Sequence, residues 1–264
     1  TALTGGYLAS MFAPATALHL AATITMAAPI AVMIANYLFV REERSRIDID
    51  QMRATTRSLI QAVRTPALRI AAAFLALWCF SPAFGTPLYY HMVDRLHFDQ
   101  RFIGQLNALA ATGAVVGAWL YARYLAPKRI TVSAVVSIVA ATLGVLAYLA
   151  LAQPHGYTGT IAGPLSVFVG MTAQIGMLMI LAVAAAACPP RAEGFVFAAL
   201  MSLYNGVEQF SAVIGARLYE GIFNHSLAPL LIVAAVSLLL CLLLVPALGR
   251  LVRSSVRQES SRRP

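Results

Sequence analysis

Glu208 is the first candidate for chemistry, because it lies within a largely apolar segment, 194–216, that is long enough to cross a membrane. A charge near mid-span costs roughly 2.5–3.5 kcal/mol on an insertion scale, so it normally faces protein or water. At 100° per residue, the polar and small side chains of this segment share one arc of about 140°. The arc contains Ala198, Met201, Ser202, Asn205, Glu208, Gln209, Ala212 and Gly215.

Three roles remain open for Glu208. Its carboxylate could carry a proton, accept two parallel hydrogen bonds from a substrate, or pair with a basic residue elsewhere in the protein. We predict a substrate-binding or proton-coupling site, and its members would be Glu208, Asn205, Gln209, Ser202 and Gln174. Gln174 is the strong polar group of the preceding apolar segment, and an interhelical hydrogen bond is the alternative role for it.

A second set of candidates lies where an apolar segment, 70–93, contains Pro82, Gly85 and Pro87. Proline removes a backbone donor and clashes with the preceding turn, and glycine lowers helix stability. These residues predict a break just before Tyr89, Tyr90 and His91. One interpretation is an outer gate formed by Pro82, Pro87, Tyr89, Tyr90 and His91; the other is a packing kink beside an interfacial aromatic belt.

The remaining reactive residues indicate no enzymatic site. Cys79, Cys188 and Cys241 lie in or beside apolar segments without metal-ligand spacing or a disulfide framework. We find no nucleophile–base pattern, phosphate loop or metal motif, so we predict no catalytic residue, no metal and no cofactor.

Seven apolar segments must position these candidates, and each has about the 20 residues that a helix needs to cross a bilayer. They are Ala17–Val40, Ile70–Val93, Phe102–Ala122, Ile130–Ala152, Gly159–Cys188, Gly194–Ala216 and Ser226–Gly249. The chain is 60% hydrophobic and 11% charged, against roughly 25% charged residues in soluble domains. We predict an all-α integral membrane protein in which Gly113 and Gly117 let two helices approach closely.

The basic residues predict its orientation. Sixteen of the 19 lysines and arginines fall in alternate gaps, beginning with Arg41, and three fall in the others, Arg95, Arg101 and Arg217. By the positive-inside rule the basic face and the C-terminus are cytoplasmic. The same distribution at helix ends explains the net charge of +9 without nucleic acid as a partner.

The gaps also predict how the chain is organised. Residues 1–40 would end one transmembrane half, 41–66 would form a central cytoplasmic loop, 67–249 would form six spans, and 250–264 a basic cytoplasmic tail. The loop could form a short amphipathic helix on the membrane surface or a solvated linker. Because the chain starts at Thr1 rather than Met, we expect a fragment that begins inside a longer protein.

Two motifs resemble the folate-biopterin transporter family of the major facilitator superfamily. Residues 188–206, CPPRAEGFVFAALMSLYNG, resemble that family's turn, nearby Glu and following Phe-Ala-x-Leu-Met-Ser-x-x-Asn run. Residues 78–90, WCFSPAFGTPLYY, followed by LHF at 96–98 and FIG at 102–104, look like the first helix of its second half and the turn after it. The resemblance covers about Ile70–Tyr219.

The resemblance implies a twelve-helix fold, of which this chain would hold the last helix of the N-terminal half and the six-helix C-terminal half. It implies a secondary active transporter in the bacterial inner membrane that moves a small organic solute, such as a pterin- or folate-like compound, by alternating access. The missing N-terminal half, the bilayer and protons would be its partners. The alternatives are a permease or exporter of another solute, such as a sugar, drug or metabolite, and a membrane-embedded enzyme or receptor.

Overall fold

The computed structural model describes residues 8, 11–12, 14–39, 65–153, 158–188 and 193–249. Over these ranges the chain is helical, with short turns and no strand. Most of the predicted central loop at 41–66, all but Thr65 and Pro66, and the whole of the predicted basic tail at 250–264 lie outside the described residues. The prediction of an all-α membrane protein is confirmed.

Eight helices follow one another along the described chain. They are α1 (Pro14–Phe39), α2 (Pro66–Cys79), α3 (Gly85–Asp94), α4 (Gln100–Leu120), α5 (Ile130–Ala147), α6 (Thr158–Ala187), α7 (Glu193–Arg217) and α8 (Leu227–Leu240). Short 3₁₀ or π turns extend four of them, over Tyr121–Leu125, Tyr148–Leu151, Leu218–Ile222 and Cys241–Leu244.

Five described helices are long and apolar enough to cross a bilayer. They are Ala15–Phe39, Gln100–Leu125, Ile130–Leu151, Thr158–Ala187 and Leu227–Gly249. The other two predicted spans take different forms. One is divided into α2 and α3, and the other is the 25-residue α7, whose polar arc lowers its hydropathy.

Close backbone contact holds α4 against α6. A side chain at Gly113 would overlap the Val167 carbonyl, and one at Gly117 would overlap the Met171 carbonyl. In return, a side chain at Gly170 would overlap the carbonyl of Ala110. The predicted close approach at Gly113 and Gly117 is confirmed, and it lets van der Waals contact replace the hydrophobic drive that lipid removes.

The largest core cluster joins five parts of the described chain. Phe74 of α2, Ile138 of α5, Met179 of α6, Leu200 of α7 and Leu248 after α8 are members of it. This cluster fixes α7 against α2 and α6, and α7 also contacts α3.

Helix α1 contributes little to this core. Of residues 15–39, Ala17 alone is buried, and large apolar side chains such as Leu18, Met33 and Phe39 are exposed. An all-round apolar surface on a helix suits lipid or a further helix.

Candidate functional site

A narrow strip of α7 packs against the neighbouring helices. Val196, Leu200, Ser211 and Gly215 are its buried residues. On a helix these four positions fall on one side. Each flank of the strip is therefore left open, and the two flanks differ in chemistry.

The first flank is polar, and it carries the predicted site. Ser202, Asn205, Glu208 and Gln209 are all exposed and turn away from the packed strip. Within the described part of the chain, the side chains of Asn205, Glu208 and Gln209 have no hydrogen-bond partner. Their donors and acceptors are therefore free to meet water, a solute or another helix.

The second flank is apolar and equally open. Leu203 is 37% exposed, Phe210 59% and Val213 52%. Lipid can cover these side chains without cost, whereas a carboxylate and two amides in lipid would lose their hydrogen bonds with water. In a bilayer, α7 is thus suited to separate lipid on one side from water or protein on the other.

Glu208 is near the broken span as well as within the polar arc. It lies one turn before Ser211, whose hydroxyl donates to the Ser81 carbonyl between α2 and α3.

Gln174 lies elsewhere. Gly163, Val167 and Gly170 of α6 all contact α4, and Gln174 continues their i, i+4, i+7, i+11 pattern. It is half-buried, and among the described residues it has no hydrogen-bond partner. The structure therefore places Gln174 on the α4-facing side of α6, apart from the other four members of the predicted site.

The predicted break is confirmed. Helix α2 ends at Cys79 and α3 begins at Gly85. Backbone groups freed by a break in a membrane must find partners within the protein. Here the Ser211 hydroxyl donates to the Ser81 carbonyl, and the Ala83 N–H donates to the Ser211 carbonyl over 3.3 Å.

Two further contacts complete this clamp between α7, α8 and the break. The Ser81 hydroxyl donates to the Ala234 carbonyl of α8 over 3.0 Å. A side chain at Gly215 would overlap the Ala83 carbonyl, so α7 approaches the break at backbone distance. We call Ser81, Ala83, Ser211, Gly215 and Ala234 the break clamp.

The residues predicted for a gate fall into two groups. Pro82, Pro87 and His91 are buried, and Tyr89 and Tyr90 are exposed. His91 Nε2 donates to the Leu151 carbonyl over 3.0 Å, which ties α3 to the turn after α5, and within the described residues its buried Nδ1 has no partner. The Tyr89 hydroxyl donates to Gln100 Oε1 over 3.0 Å.

Sequence reasoning missed the break clamp. The predicted break was only an indirect indication of these contacts, because a break leaves backbone groups that need a nearby hydroxyl or amide as a hydrogen-bond partner. Ser211 is 1% exposed and lies 130 residues from Ser81, so no local spacing could connect them. Among the described residues, no group of three or more His, Cys, Asp or Glu side chains could hold a metal ion.

Comparison with known proteins agrees with this membrane architecture. The model of the BT1 family matches residues 1–261. The Folate-biopterin transporter of Synechocystis sp. is 24% identical over 259 residues, which cover 95% of this chain and 52% of that protein. The Probable folate-biopterin transporter 4 of Arabidopsis thaliana is 24% identical over 173 residues, covering 63% of this chain and 35% of that protein. No solved structure matches the chain.

Proposed function

The chain belongs to the BT1 family, and on this basis we propose that it forms part of a secondary active transporter for a pterin- or folate-like solute. The names of the two relatives indicate this solute class. The chain spans about half the length of the first relative. We propose that a second set of helices completes a pathway of the major facilitator type, and that α1 belongs with that set.

The exposed polar arc of α7 is the observation that supports this proposal most strongly. Ser202, Asn205, Glu208 and Gln209 point away from the core of the described helices. Facing lipid, this arc would cost several kcal/mol. Facing a water-filled pathway between two halves, the same residues are solvated and available to a solute.

Glu208 is the proposed centre of recognition. A carboxylate can accept two parallel hydrogen bonds from the amino-pyrimidinone edge of a pterin, and such charge-assisted bonds are about twice as strong as neutral ones. The amides of Asn205 and Gln209, one turn before and one residue after, can donate and accept at the solute's other polar atoms. Proton coupling at Glu208 is the alternative role.

The broken span has a proposed part in alternating access. In many transporters, discontinuous helices help to form the solute site near the bilayer midplane, about which the two halves move. Through the break clamp, α3 and its exposed Tyr89 and Tyr90 are joined to the helix that carries Glu208. We propose α3 as a gate at the outer end, in a multi-pass protein of the bacterial inner membrane with a cytoplasmic C-terminus.

Glu208→Gln tests the function, because it keeps shape and removes charge. Uptake of radiolabelled biopterin would be measured in proteoliposomes that contain the full-length natural protein. Loss of a charge-assisted contact of about 1.5–3 kcal/mol predicts a 10- to 150-fold drop in uptake, or loss of its pH dependence if Glu208 carries the proton.

Glu193→Gln is the matched control, since it changes the same residue type at the first turn of the same helix, outside the polar arc. It should transport at close to the wild-type rate. Wild-type uptake by Glu208→Gln, with unchanged pH dependence, would reject both roles of Glu208. An absence of biopterin uptake by the wild-type protein would reject the substrate class.

A further inference from the structure

A cavity lies at the end of the helical bundle, between α3 and the end of α7. It has a volume of about 290 Å³. Side chains from the last turn of α3, from the turn after α7 and from the loop before α8 line it. Those used below are Tyr90, Asp94, Arg95, Tyr219, Glu220 and His225.

The charged groups around this cavity are left unpaired. Asp94 and Glu220 supply two carboxylates and Arg95 supplies a guanidinium, and all three residues are exposed. Among the described residues none of them forms an ion pair of 4 Å or less. The two carboxylates can therefore accept hydrogen bonds from a ligand in the cavity, and the guanidinium can donate to the same ligand.

Aromatic side chains stand on two elements that line the same cavity. Tyr90 of α3 is 54% exposed and is supported edge-on by Tyr89 at 5.8 Å. After α7, the rings of His225 and Tyr219 pack in an edge-to-face arrangement, with their centroids 5.3 Å apart. Because 54% of the Tyr90 side chain is exposed, its ring has surface available for stacking on another planar group.

The loop that carries His225 is fixed in an unusual conformation. Asn224 and His225 have φ values of 45° and 61°, a left-handed region that few residues other than glycine adopt, although Asn and His are enriched there. Backbone hydrogen bonds hold it, because the His225 N–H donates to the Tyr219 carbonyl and the Phe223 N–H to the Leu218 carbonyl, each over 2.8 Å. The position of His225 is thus set before any ligand arrives.

We infer that this cavity is a second binding site, which receives the planar, hydrogen-bonding heterocycle of the solute before or after it occupies the α7 arc. The inference rests on the proposed function. Carboxylates at Asp94 and Glu220 suit an edge rich in N–H donors, Arg95 suits a carbonyl or anionic group, and Tyr90 suits the ring face. The volume of about 290 Å³ is just below the roughly 300–1,000 Å³ range of ligand pockets, so the cavity suits a small bicyclic head group.

The two sites are separate. Glu220 follows Glu208 by 12 residues, which corresponds to roughly 18 Å at 1.5 Å per residue. One bicyclic molecule cannot reach from one to the other. The full-length protein should therefore bind two such molecules.

Equilibrium binding of radiolabelled biopterin to the full-length protein in nanodiscs tests this. We expect two sites per wild-type protein and one in Glu208→Gln. In the Glu208→Gln background, Tyr90→Ala or Glu220→Gln should weaken the remaining site at least tenfold. Both residues are exposed, so these changes should leave the fold intact, which a melting curve checks.

Two matched controls separate the cavity from general surface effects. Tyr124 is also 54% exposed but lies outside the cavity, and Asp99 is an exposed carboxylate whose side chain makes no capping bond. Tyr124→Ala and Asp99→Asn should leave the second site unchanged. A single site in a wild-type protein that still transports biopterin, or a second site that ignores Tyr90 and Glu220, would overturn the inference alone. A wild-type protein that neither binds nor transports biopterin would overturn the proposed function, and this inference with it.

Discussion

Removing the Ser211 hydroxyl should loosen the contact between α7 and the broken span. Ser211→Ala deletes the donor to the Ser81 carbonyl and changes little else. The bond from the Ala83 N–H to the Ser211 carbonyl involves only backbone, so it survives the substitution. The variant therefore isolates one hydrogen bond of the break clamp.

The expected cost follows from burial. Ser211 is 1% exposed, so water does not readily replace its hydroxyl. Side-chain hydrogen bonds within membrane proteins average about 0.6 kcal/mol and reach about 1.7, and an orphaned buried acceptor costs about 1–3 kcal/mol. Because the Ser81 carbonyl is freed by the break and has lost its helical partner, we expect a loss of about 1–2 kcal/mol.

Ser237→Ala is the control for this measurement. Its hydroxyl donates to the Val233 carbonyl of its own helix over 2.9 Å, so its loss should cost less than about 0.5 kcal/mol. Both variants of the full-length protein would be unfolded reversibly in mixed detergent micelles, and their free energies of unfolding compared with the wild type. Biopterin uptake would be measured on the same preparations.

Our expectation is that Ser211→Ala lowers both stability and uptake, since one of the bonds that fix the break to the helix that carries Glu208 is lost while the backbone bond remains. Equal free energies of unfolding for Ser211→Ala and Ser237→Ala would refute it. In that case the Ser81 carbonyl would have another partner, and the break would need no clamp.

Two other features give independent tests. In the same unfolding assay, Gly113→Ala should lower the free energy of unfolding by about 1–3 kcal/mol, because the new side chain overpacks against the Val167 carbonyl. Gly206→Ala is the control, since no atom lies within 4 Å of the added side chain, and it should be neutral or stabilise the protein by about 0.5–1 kcal/mol. Equal effects of the two substitutions would contradict the close packing of α4 and α6. Single cysteines at Thr55 and Ser260, in a background without the native cysteines, should react with an impermeant thiol reagent only from the cytoplasmic side. Labelling of either cysteine from outside intact cells would contradict the predicted topology.

Much of the fold could be predicted, because the bilayer limits a chain to a few solutions. Apolar length predicts helices, and the structure has them. Pro82, Gly85 and Pro87 predict a break, since each weakens a helix locally. Gly113 and Gly117 predict close packing of two helices, because the absence of a side chain lets two backbones approach.

The parts that escaped prediction depend on which helices meet. Ser211 binds the break from a helix far along the chain, and periodicity carries no information on that pairing. Gln174 is polar by type, yet it faces α4 because it continues the glycine-rich stripe of α6. The cavity beside Glu220 depends on a loop with a left-handed backbone at Asn224 and His225. Neither residue is a glycine, so the sequence does not predict this backbone conformation.

Water accessibility along α7 tests most directly whether the polar arc of this helix faces the transport pathway. Single cysteines would be placed on the two open flanks of the helix, in a full-length background without native cysteines, and their rates of reaction with a small aqueous thiol reagent measured in membranes. Asn205 and Gln209 represent the polar flank, and Leu203, Phe210 and Val213 the apolar flank. Because both flanks are exposed in the structure, burial alone predicts no difference between them.

A water-lined pathway predicts that cysteines at Asn205 and Gln209 react at least tenfold faster than those on the apolar flank, and that biopterin slows them. Lipid around the other flank excludes the aqueous reagent, and a bound solute shields the polar one. Equal rates on the two flanks, or faster reaction at Phe210 than at Gln209, would contradict the claim that the α7 arc faces the transport pathway.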